Sequence, residues 1–177
     1  DTSVYNTAVG GQAGKQITTG VNNTLIGGLA GDALTDADYN TAVGFEALST
    51  DVLGSRSVAI GFNALHLQNF TTATNTYNVG VGFNAGQQIT TGVENTFVGG
   101  LAGDATDNGQ FNVAVGYLSL SANCGDNNVA VGHRSLTLAT GNLNTALGKE
   151  AGTAVSTGVE NTLVGGLAGN GINTGSQ

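Results

Sequence analysis

Apolar residues recur along this chain in short blocks, each followed by a turn-rich polar stretch. Each block is a variant of Asn-Thr-Ala-Val-Gly. The copies begin at Asn6, Asn23, Asn40, Ser57, Asn78, Asn95, Asn112, Asn128, Asn144 and Asn161. Their closing glycines lie 17 residues apart (Gly10 to Gly27) or 16 apart (Gly116 to Gly132), with one step of 21 (Gly61 to Gly82). A period this short is one coil of a solenoid and not a domain. The pattern predicts an all-β, single parallel β-solenoid spanning 1–177, a flattened β-roll of ten coils. Two short strands per coil fit a coil of this length.

Strand side chains alternate between two faces. We number positions from the leading Asn. Position four is aliphatic in every coil, as in Val9, Ile26, Ile60 and Leu147, and position two is Thr or Val. The alternation, with the liking of β-branched residues for strands, predicts that these two columns form the core. Position three, mostly Ala, would then face away. Position eight is Ala or Ser throughout, which predicts close approach of another backbone, either the opposite coil wall or a neighbouring subunit. The glycine closing each phrase predicts positive φ or close wall-to-wall contact. The leading Asn predicts a side chain bonded to its own turn and stacked on its counterparts.

A slower rhythm overlies the coil. Position nine reads Gly14, Gly31, Leu48, Leu65, Gly86, Gly103, Leu120, Leu136, Gly152, Gly169. Only the second, sixth and tenth coils carry a bulky position three: Leu25, Phe97 and Leu163. The super-repeat is four coils, about 19 Å at the usual strand spacing. On outward positions this rhythm predicts lateral packing. Duplication of a four-coil unit accounts for it equally simply.

Composition narrows the function classes. There are 30 Gly and no Pro among 177 residues, without a Gly-X-Y period, so collagen is excluded. With 40% hydrophobic and 9% charged residues, disorder is a poor description. The net charge of −8 argues against nucleic acid and against anionic membrane surfaces. No stretch approaches a membrane span. The single Cys124 excludes an intramolecular disulfide and reads as a small buried residue. The chain starts at Asp1 with no initiator Met, which leans towards an exported or assembled product.

The phrase Asn-Thr/Ser-x-Val/Ile-Gly-x-x-Ala resembles the left-handed parallel β-roll heads of trimeric autotransporter adhesins, and Ser57-Val58-Ala59-Ile60-Gly61 is its nearest copy. The NTAVGxxAL form with TG-containing turns is also similar to repeats of phage tail-fibre and related surface fibre proteins. The resemblance spans essentially the whole chain. Coils here are longer than in the adhesin heads, and no heptad stalk or anchor is present. The resemblance implies display and attachment, an extracellular, cell-surface or virion location, trimerisation, and no catalytic residues.

Chemistry is sparse. His66 and His133 fall in different coils and cannot share a site, so a Ser-His-Asp or Cys-His arrangement is not credible. GGLAGD at 27–32 and 99–104 misses the spacing of calcium-binding Gly-Asp repeats. No Lys-Ser/Thr completes a phosphate loop. No enzyme activity, cofactor or metal is expected. Position six stacks Phe45, Phe62 and Phe83, with Tyr117 and His133 later, a ladder suited to a subunit contact or a glycan. Leu25, Phe97 and Leu163 join Phe45, Phe62, Phe83 and Tyr117 as candidate subunit contacts. Asn22 and Asn69 begin weak glycosylation sequons. The longest coil carries an insert at 67–77, where binding tends to sit on solenoids. Ice binding is set aside, because the Thr column shares a face with the expected core. The expected partner is another copy of the chain, as a trimer or a head-to-tail filament joining Gln177 to Asp1. A fibre building block is the leading expectation, and a module binding surface glycans the alternative.

Overall fold

The computed structural model describes residues 4–175. The Gln177–Asp1 junction lies outside them. The described chain is a parallel β-solenoid with one three-residue strand per coil. The strands are β1 (Thr7–Val9), β2 (Thr24–Ile26), β3 (Thr41–Val43), β5 (Val58–Ile60), β7 (Val79–Val81), β8 (Thr96–Val98), β9 (Val113–Val115), β10 (Val129–Val131), β11 (Thr145–Leu147) and β12 (Thr162–Val164). They form one ten-stranded sheet in chain order, every neighbour parallel and each phrase in register with the next, as in Thr41↔Val58 and Ala42↔Ala59. The other coil wall is not a second long sheet. Only β4 (Gly54–Ser55) and β6 (Thr74–Asn75) pair there. Elsewhere it consists of turns that still bond coil to coil, as in the Gly31 N–H to the Ala47 carbonyl at 2.9 Å and the Leu48 N–H to the Ala64 carbonyl at 3.0 Å.

The faces of the strand are the reverse of the expectation. Position three points inward: Ala42, Ala59, Phe97, Ala114 and Ala130 are fully buried. Positions two and four point outward, with Ile26, Ile60 and Leu147 exposed. The leading Asn explains the inversion. Its carboxamide lies inside, so alternation from position one sends position three inward as well. The small position eight shows how narrow the interior is. Ala30, Ala47, Ala64 and Ala85 on the turn wall are fully buried opposite the strand-wall alanines.

The interior column of asparagines runs along the axis. Asn23 Oδ1 accepts the Asn40 N–H at 2.9 Å, and Asn23 Nδ2 donates to the Ala37 carbonyl at 2.7 Å. The same step recurs from Asn78 to Asn95 (2.9 Å), Asn95 to Asn112 (3.0 Å) and Asn112 to Asn128 (2.8 Å). Each buried amide is thereby satisfied by its neighbours, the condition for burying it at all.

Positions three and nine are complementary core volumes, and this accounts for the four-coil rhythm without lateral packing. Where position three is Ala in a coil and Ala or Gly in the next, position nine is Leu: Leu48, Leu65, Leu120 and Leu136 are fully buried. Where position three is bulky, position nine is Gly, in its own coil and in the preceding one. A Cβ at Gly86 or Gly103 would lie 2.7 or 2.6 Å from the Phe97 ring, and one at Gly14 or Gly31 2.8 Å from Leu25. The four leucines occupy left-handed backbone, φ 48–54°. That conformation costs each roughly 1–2 kcal/mol, comparable with the ~1.5–3 kcal/mol that burying a leucine contributes.

The glycines at position five have φ between 122° and 140°. A side chain on Gly44 would run into the Gly61 carbonyl of the next coil. The positive φ foreseen for this glycine therefore holds, whereas the close contact is with the next coil of the same wall and not with the opposite wall.

Candidate functional surface

The outward face of the ten-stranded sheet is the most extended feature of the surface. It carries the Thr/Val column of position two and the Val/Ile/Leu column of position four, stacked in register over ten strands. None of the phrases that build it contains a charged residue. Neighbouring coils half-bury the central residues Val43, Val81, Val98 and Val115. The outward Thr column removes the earlier reason for setting ice binding aside. What stands against it is composition, since Val replaces Thr in four coils, at Val58, Val79, Val113 and Val129, and position four is aliphatic throughout.

An aromatic ladder borders the face after each strand. Phe45, Phe62 and Phe83 stack in series, with centroids 5.8 and 5.4 Å apart and planes within 16° and 10°. Tyr117 and His133 stack at 5.7 Å. All five are exposed. Their ring faces cover one another, so the ladder shows mainly ring edges to solvent. Stacking on a sugar ring needs an open face, and such faces remain only at the ladder's ends.

A second border precedes each strand and was not foreseen. The residue before the leading Asn lies in left-handed backbone, as in Tyr39 (φ 59°), Tyr77 (φ 51°) and Phe111 (φ 58°). It is large and apolar in alternate coils: Tyr5, Tyr39, Tyr77, Phe111 and Leu143, all exposed. Asn22, Arg56, Glu94, Asn127 and Glu160 fill the coils between. The Arg56 guanidinium sits 5.1 Å from the Tyr39 ring centre and 6.0 Å from that of Tyr77, a cation–π sandwich. This two-coil alternation is legible in the sequence once residues before the phrase are aligned.

Leu25 and Phe97 are fully buried and Leu163 is 8% exposed, so these three are core residues and not subunit contacts. Their bulk is spent inside, against Gly14, Gly86 and Gly152. Phe45, Phe62, Phe83 and Tyr117 remain on the surface. The two sequon asparagines, Asn22 and Asn69, are half-buried.

The longest coil encloses a polar knot. The Asn column breaks at Ser57. Here Asp51 and Gln68 take the interior turn position that Ile17, Leu34, Ile89 and Val155 fill elsewhere. Asp51 Oδ1 accepts the N–H groups of Gly54 (3.1 Å) and Phe70 (2.9 Å), and Oδ2 accepts Gln68 Nε2 at 2.5 Å. Gln68 Nε2 also reaches Ser57 Oγ at 2.8 Å, while its Oε1 accepts Asn78 Nδ2 at 2.9 Å. Ser57 and Thr76 share a hydroxyl pair at 2.6 Å. The knot thus carries the polar column across the gap that Ser57 leaves. Burial pushes the Asp51 carboxyl above its ordinary value, against the opposing pull of Gln68 and the Phe70 and Gly54 amides. Burial also raises Asp32 and Asp104.

Cys124 is buried, its thiol pushed up to about 11 by desolvation, with Thr106 Oγ1 at 3.2 Å from its sulfur. His66 Nδ1 bonds Ser49 Oγ at 2.8 Å and lies 4.0 Å from the Glu46 carboxylate. Among the described residues no group of three or more His, Cys, Asp or Glu side chains gathers where a metal ion could sit, and no concave pocket opens. No helix of the described chain is long and apolar enough to cross a membrane.

No family model, curated protein or solved structure matches the chain. The β-roll repeat therefore stands on the coils themselves, and the adhesin or tail-fibre character implied by the phrases is a matter of proposal.

Proposed function

We propose that this chain is a structural protein, a rod-like building block of an extracellular or virion fibre that assembles with copies of itself. One observation carries the reading. Backbone ladder, asparagine column and apolar core all run parallel to one axis through successive coils. Each coil is held by its neighbours alone, which makes length and stiffness the property the sequence maintains. A glycan-binding module is the second reading. Its best support is the exposed ring ladder, weakened by rings that cover one another's faces.

Sedimentation velocity across a concentration series, with electron microscopy of the same samples, tests the proposal. Elongated assemblies growing with concentration are expected. A monomer at every concentration would overturn it, and glycan-array binding by that monomer would favour the second reading.

A further inference from the structure

The geometry points to the outward face of the ten-stranded sheet as the seat of a second copy of this chain, packed sheet against sheet. The inference rests on the self-assembly reading and adds which surface meets which. It is carried by area, by charge and by shape.

The three residues of each strand span about 10 Å at the usual rise, and ten strands stack to about 48 Å. Their product is roughly 480 Å², about 960 Å² for two copies, close to the ~1,000 Å² that a specific interface needs, before the flanking rings are added. An uncharged patch of that size matches the largest that monomers ordinarily expose, and such patches often mark binding sites.

Charge distribution singles out this face. The chain carries a net charge of −8, and two like-charged rods repel unless they meet where charge is absent. The strand phrases hold no charge, with Arg56, Glu94, Glu160 and Lys149 of both signs beside them, while Asp32, Asp36, Asp38, Asp104, Asp107 and Asp126 all sit on the turns. Two copies meeting sheet to sheet keep these carboxylates apart. Meeting turn to turn would oppose them.

Shape agrees. Val and Thr columns in register give a flat ridged surface, and sheets with such faces pack about 10 Å apart. Exposed rings flank the central strands on both sides, Tyr39 and Tyr77 in alternate coils before them and Phe45, Phe62 and Phe83 after them. Aromatic residues are enriched where interfaces close.

The test compares wild type, Val81→Lys/Val115→Lys, and the turn-side control Gln16→Lys/Gln88→Lys, by sedimentation equilibrium with circular dichroism and urea midpoints as folding checks. Val81 and Val115 point outward from β7 and β9, so both lysines can reach water without disturbing the interior. The expected result is self-association weakened at least tenfold in the valine variant and unchanged in the control, both folded. If the valine variant loses fold, Phe62→Ala/Phe83→Ala on the border takes its place, with weakened association again expected. Association equal to wild type in a folded face variant would overturn this interface and leave the self-assembly reading standing. A wild type monomeric at about 100 µM would overturn both, and growth of shaped ice crystals by that monomer would assign the face to ice.

Discussion

The exchange of volume between positions three and nine can be tested by a reversal of sign. Phe97 is fully buried and lies over both Gly86 and Gly103. Phe97→Ala should cost about 3–5 kcal/mol, transfer and cavity terms together. At about 2 kcal/mol per M of urea this moves the midpoint down by roughly 2 M. Gly103→Leu alone should also destabilise. Its Cβ would lie 2.6 Å from Phe97 Cδ1, and the ring is hemmed in on its other side by Gly86. Left-handed backbone at φ 59° adds roughly 1–2 kcal/mol, and overpacking about 1–3 kcal/mol more. In the Phe97→Ala background the same Gly103→Leu should stabilise. Ala with Leu is the arrangement of Ala42 with Leu48 and of Ala114 with Leu120, and Leu48 and Leu120 already occupy left-handed backbone. A space beside Gly86 stays unfilled, so the double variant remains below wild type. The assay is urea unfolding of all four proteins followed by far-ultraviolet circular dichroism. The coupling energy should be at least about 2 kcal/mol, at the upper end for residues in contact. If Gly103→Leu destabilises equally in both backgrounds, the volumes are not exchanged and the four-coil rhythm needs another cause.

Asp51→Leu restores the apolar residue of other coils, yet should destabilise by about 3 kcal/mol or more by urea unfolding. It strands one Nε2 hydrogen of Gln68, whose other stays on Ser57 Oγ, and the Gly54 and Phe70 amides at about 1–3 kcal/mol each, and a neutral or stabilising result would refute the knot. The raised Asp51, Asp32 and Asp104 carboxyls bind protons more tightly folded than unfolded. Their favourable contribution is full below the ordinary 3.8 and is lost as pH rises through the folded values. Thermal midpoints should therefore fall as pH rises from that value, least so in Asp51→Leu, and a midpoint that rises over this span would contradict the burial of these carboxyls. Gly44→Ala should cost more than about 1 kcal/mol in the same unfolding assay, since φ is 140° and the Gly61 carbonyl blocks the methyl. Gly11→Ala, on open space in ordinary backbone, should cost less than that.

The coil period, the parallel stack, the asparagine column and the positive φ of the closing glycines could all be read from the chain. Each follows from spacing and from what one residue type can do with its own backbone. The anticorrelation of positions three and nine was also visible, as Leu25 with Gly31 and Ala42 with Leu48. Hydropathy alone puts it on an outer surface, because it turns the two strand faces the wrong way round. Alternation divides a strand into two faces and does not say which is inside. Hydropathy favoured Val and Ile, but the hydrogen-bonded Asn at position one fixes the choice and turns position three inward with it. Side-chain fit across the coil and amide satisfaction between coils exist only once the chain has closed on itself. Sequence determined the repeat, and closure of the roll decided which side of it meets water, and so which surface is open to a partner.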